Sequence, residues 1–109
     1  MTQPITEVVQ LQLQPGAVIE ERMSELLRIL QRQPGFQLLA WGRWEESPDN
    51  VQLHLNWDNI EAHRQFEASG VDFAAVGDVL GPVLAGPPAM HHVNFKTAVA
   101  DIVSSAATV

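Results

Sequence analysis

An α+β fold of order β-α-β-β-α-β is expected from three features of this 109-residue chain. Apolar and polar residues alternate from Ile5 to Gln14, most regularly from Val9, and again from Val51 to Trp57, the mark of half-buried strands. Between and after them the apolar period changes to about 3.6 residues, the mark of helices lying on one face of a sheet. The segments are separated by turn residues at Pro15-Gly16, Pro34-Gly35, Ser47-Pro48-Asp49-Asn50 and Gly86-Pro87-Pro88.

In the first strand Val9, Leu11 and Leu13 share one parity, while Gln10, Gln12 and Gln14 take the other. The first helix is expected over 17–33, with Ile19, Met23, Leu26, Leu27 and Leu30 as its apolar stripe. Its acids come early and its bases late, as the helix dipole prefers. Phe36 to Glu45 and Val51 to Trp57 form an antiparallel hairpin around the Ser47–Asn50 turn. Asp58 is placed to cap the next helix, with Glu61 completing a capping-box pattern and the helix running to about Ser69-Gly70. Asp72 opens a further segment with Phe73, Val76 and Leu80 on its apolar face. Met90 to Lys96 is the fourth strand. The sum is one ferredoxin-like domain, a four-stranded antiparallel sheet with its core at about residues 5–96 and a tail at 97–109.

Composition narrows the function classes. The chain is 46% hydrophobic and carries a net charge of −7, which disfavours nucleic acid and anionic membranes, since both demand clustered bases. It has no cysteine, so thiolate catalysis, thiolate zinc and disulfides are excluded. The absence of a basic, apolar leader or a long apolar run leads to the expectation of a soluble, cytoplasmic protein. No His/carboxylate spacing suggests a metal site, and no glycine-rich loop sits in a strand-loop-helix frame.

Strand parity sorts the candidate residues. Continued through all four strands, it puts Leu38, Ala40, Gly42, Val93 and Phe95 beneath the helices. It puts Leu39, Trp41 and Met90 on the opposite face, where a second subunit would cover them. A homodimer packed sheet against sheet is therefore expected. Small Ala40 and Gly42 facing His63 and Phe66 leave room for a pocket, with Leu11, Leu53, Phe66 and Phe73 as further substrate-binding walls. The same residues also fit a filled core. With no Tyr or Cys, histidine is the natural proton carrier near neutrality. His63 lies three positions from both Ile60 and Phe66 on the buried helix face, and His91 shares parity with Val93. His92 and His54 take the other parity and are alternates, because a bulge in the fourth strand would exchange His91 and His92.

The strand-end Trp57, the run Asn59-Ile60-Glu61-Ala62-His63, then Phe66 and Ala68-Ser69, and the closing His91-His92-Val93-Asn94-Phe95 resemble the dimeric α/β-barrel superfamily. The likeness is to its antibiotic biosynthesis monooxygenase-like domains of fungal type, from about Ile5 to Lys96. It implies a dimeric α/β barrel, and either a cofactor-independent tailoring enzyme or a protein without activity. The places where haem-degrading members carry a second Trp and a ligand His hold Phe66 and Val76, so haem is not expected. The resulting expectation is an enzyme that needs no cofactor and acts on an aromatic or polyketide-like molecule, a cyclase, isomerase or monooxygenase with His as general base. Cyclase or isomerase chemistry is favoured because few polar groups reach the expected pocket. The alternative is a non-catalytic ligand-binding or stress-type dimeric barrel.

Overall fold

The computed structural model describes residues 3–98 and residue 100, so the tail expected beyond Thr97 falls almost entirely outside the described residues. The elements are β1 (Ile5–Gln12), α1 (Glu20–Leu30), β2 (Phe36–Arg43), β3 (Asn50–Trp57), α2 (Ile60–Glu67), α3 (Val71–Leu80), a 3-10 turn (Gly81–Val83) and β4 (Ala89–Val93). The strands form one antiparallel sheet in the order β2-β3-β1-β4, the ferredoxin-like arrangement expected. Helices cover one face. None of the described helices is long and apolar enough to cross a membrane.

The strand alternation decides which side chains the helices cover. Leu11 and Leu13 of the first strand segment, with Val51, Leu53, Leu55 and Trp57 of β3, are buried against Ile19, Met23, Leu26 and Leu30 from α1 and its approach. Trp57 is fully buried, with Phe36 edge-on to it at 5.5 Å and Phe66 stacked at 5.7 Å. Gly35, at φ +84°, sits where a Cβ would meet the Ala62 Cβ at 2.6 Å, so both its backbone angle and the close approach of α2 require glycine.

Two strand faces differ from expectation. In β2, Phe36 lies opposite Trp57 but Leu38 lies opposite Asn56, so one extra residue, Gln37, is accommodated as a bulge. One inserted residue inverts every side chain after it. Leu39 and Trp41 therefore pack on the helix-covered core, and Ala40 and Gly42 turn to the open face. In β4, His92 lies opposite Glu7 and Met90 opposite Val9, which puts both on the helix side. His91 and Val93 lie opposite Val8 and Thr6 on the open side, and Phe95 follows them by stacking on His54 at 5.7 Å. The dimer surface expected from Leu39, Trp41 and Met90 is thus not an exposed surface of the sheet's open side.

Smaller corrections concern the helix starts. Asn59, rather than Asp58, caps α2, its Oδ1 accepting from the Ala62 N–H at 2.8 Å. Asp58 instead accepts from Gln37 at 2.8 Å, across the bulge. Asp72 lies inside α3 rather than at its cap. Its carboxylate accepts from Arg32 at 3.0 Å and Gln33 at 2.7 Å, tying α3 to the end of α1. Those two bonds hold the Asp72 carboxyl below its ordinary range.

Candidate active site

The Asn59 cap fixes the start of α2 so that Ala62, His63 and Phe66 fall on its buried stripe. His63 is then pressed against Trp57, with ring centroids 5.4 Å apart, and only 2% exposed. A buried imidazole needs partners for both ring nitrogens. Both are found. Nε2 lies 3.2 Å from Glu7 Oε1, and Nδ1 lies 2.7 Å from His92 Nε2. The Trp57 indole N–H also donates to Glu7 Oε1, at 3.2 Å.

These contacts have one consistent direction. A carboxylate only accepts, so His63 carries its proton on Nε2 and gives it to Glu7. Its Nδ1 lone pair then accepts from the Nε2–H of His92, leaving His92 Nδ1 as an acceptor. The result is a chain His92→His63→Glu7, in which His92 is hydrogen-bonded to His63, His63 Nε2 faces Glu7 at 3.2 Å, and Trp57 anchors the carboxylate by its own hydrogen bond. Burial, together with the neighbouring His63, pushes the pKa of His92 below its ordinary 6.5, which favours its neutral form at pH 7. The three side chains contact one another rather than a shared centre, and among the described residues no group of three or more carboxylates or imidazoles is placed to hold a metal ion.

Glu7 and His63 form part of the wall of a cavity of about 360 Å³ between the sheet and the helices. The rest of that wall is almost wholly apolar, including Leu11, Leu53, Phe66 and Phe73, the four expected substrate contacts that the fold brings together. Ala40 and Gly42 are elsewhere. They line a separate, shallow depression on the open face with Trp44 and His54. Of the candidate histidines, His63 and the alternate His92 belong to the site. His91 is exposed on the open face, and His54 there contacts Gln52 at 2.8 Å and stacks on Phe95.

The functional residue that sequence reasoning missed is Glu7. Its signal was available: it shares parity with Val9, Leu11 and Leu13, so it was bound to face the helices. A lone acid on the buried side of a strand calls for a partner.

Comparison with solved structures agrees with this fold. A candidate antibiotic biosynthesis monooxygenase from Bordetella bronchiseptica superposes with TM-score 0.80 at 25% identity, over 87% of this chain and 99% of its own. A second candidate monooxygenase, from Caulobacter crescentus, gives TM-score 0.73 at 20% identity, covering 88% and 92% of the two chains. A mutant of SnoaB, a cofactor-independent oxygenase from Streptomyces nogalater, gives 0.74 at 16% identity, covering 89% and 97%. The chain therefore has the fold of the antibiotic biosynthesis monooxygenase proteins. No family model matches the sequence, and no curated protein does.

Proposed function

We propose that this chain is a small cofactor-independent enzyme that removes a proton from an aromatic or polyketide-like substrate held in the 360 Å³ cavity. The observation that carries the reading is the Glu7–His63 pair in an almost wholly apolar wall, with His92 bonded to His63. A base beside an apolar cage is the minimum that carbanion chemistry asks of a protein. Both nitrogens of His63 are engaged, so the base is the Glu7–His63–His92 unit rather than an isolated imidazole. The proton taken at the cavity wall is held on the Glu7 carboxylate, the acceptor end of the chain and a member of the cavity lining.

The deprotonated substrate then reacts with dioxygen, one oxygen atom ending as a product carbonyl and the other leaving as water. The oxygenase among the structural neighbours supports this course. Ring closure driven by the same base is the second reading, supported by the scarcity of polar groups around the cavity. Neutral polycyclic phenols incubated under labelled dioxygen test the reading. Label in the product is the expected result, and ring closure without label selects the cyclase. Binding without any conversion overturns the enzyme reading in favour of a carrier.

We further propose that a second copy of the chain covers the open sheet face. Leu38 and Phe95, 52% and 54% exposed, lie on that same open face, and apolar surface gathered on one face marks an interaction site. Light scattering is expected to give twice the 12.0 kDa chain mass, and Leu38→Glu is expected to lower it towards one. A monomer mass at every concentration contradicts the pairing.

A further inference from the structure

The cavity's charge pattern specifies its ligand more narrowly than its shape does. Its ionisable lining residues are Glu7, His63 and Glu67. All six of the chain's bases, Arg22, Arg28, Arg32, Arg43, Arg64 and Lys96, lie outside the lining. Arg22 donates to the Val79 carbonyl at 2.8 Å, and Arg64 projects from the exposed side of α2. The Trp57 indole N–H is already given to Glu7, and His63 Nε2 faces the same carboxylate oxygen at 3.2 Å. A ligand carboxylate or phosphate would thus enter an apolar space where the described residues offer no arginine or lysine and no side-chain donor turned away from Glu7, next to a carboxylate. Burying an anion unpaired is among the costliest events in protein chemistry.

Building on the proposed function, we infer that this site selects uncharged apolar molecules and rejects their carboxylate analogues. The substrate class is a neutral polycycle, with any acid it descends from masked, decarboxylated or cyclised before it arrives. For a substrate that descends from an acid, the supplying reaction is of a class that masks, removes or ring-closes the free carboxylate.

Calorimetric binding of 2-naphthamide and 2-naphthoate at pH 8 tests this, because the two share size and shape and differ in charge. The amide is expected to bind roughly a hundredfold or more tightly than the carboxylate. Glu7→Gln and Glu67→Gln, each alone, are expected to narrow that ratio. Glu67 is exposed at the end of α2, so its variant keeps the test valid if Glu7→Gln does not fold. Equal affinity for the two probes, or a ratio unmoved in every folded variant, overturns the charge selection while leaving the cavity as a binding site. Binding of neither probe overturns the cavity reading and the selection together.

Discussion

Substituting His63 with Gln is expected to lower turnover by about 10²–10⁴-fold, the usual contribution of a positioned proton-transfer group. His92→Gln should fall in the same range, although that side chain is half-exposed and has a different neighbourhood. The reason is shared. His63 holds Glu7 at 3.2 Å and His92 at 2.7 Å, so removing either imidazole cuts the same chain. The double variant should therefore cost little more than either single one, because groups that act as a unit are not additive. The double variant's kcat/KM, measured beside the singles, checks this, and losses that multiply would show that the two histidines work separately.

The pH dependence has a definite sign. His92 is held below its ordinary 6.5. Turnover should stay level as pH falls to that value and drop only below it, when His92 gains a proton and its positive charge at the end of the chain weakens Glu7 as a base. Stability follows the same sign. The unfolded chain binds that proton first, near 6.5, and the native state resists it, so the His92 contribution to stability falls as pH is lowered from 6.5 through the native value. Urea unfolding on both sides of 6.5 reads this directly.

Trp57→Ala is expected to be the most destabilising single change, by about 3–5 kcal/mol, the range for emptying a large buried aromatic site. Trp57 is fully buried and touches Phe36, His63 and Phe66. It also donates to Glu7, so the truncation removes packing and a buried donor together. For a domain of this size each kcal/mol moves Tm by about 4–8 °C, so calorimetry should show a drop of on the order of 20 °C. Trp57→Phe separates the two effects. It keeps most of the ring contacts and loses the N–H, so it should cost less stability while still weakening the hold on Glu7. A Trp57→Ala protein within about 1 kcal/mol of the parent would show that this end of the core is not held by the indole.

The fold was legible because β3 alternates without interruption, β1 does so from Val9 onward, and His63 and Phe66 repeat at helical spacing. The same alternation misled in β2. Gln37 looks like an ordinary outward polar residue, and nothing in its identity shows that it is the extra residue of a bulge. With the count shifted by one, Ala40 and Gly42 were assigned to the pocket side and Leu39 and Trp41 to the surface. In β4 the apolar pair Val93 and Phe95 outweighed Met90 alone, whereas the register with β1 decides the matter by pairing His92 with Glu7. The site suffered in proportion. His63 was found from its own helix, but its partners come from strands some 30 to 56 residues away in the sequence, and only the sheet register brings them to it.

The imidazole protons of His63 test the central claim most directly. In nitrogen-correlated proton spectra at pH 7, Nε2 of His63 should carry the proton and Nδ1 should be bare, accepting from His92 Nε2–H. Glu7→Gln should then shift the signals of both rings. A His63 protonated on Nδ1 instead, or two histidines that titrate independently near 6.5 and ignore the loss of Glu7, would contradict the hydrogen-bonded chain.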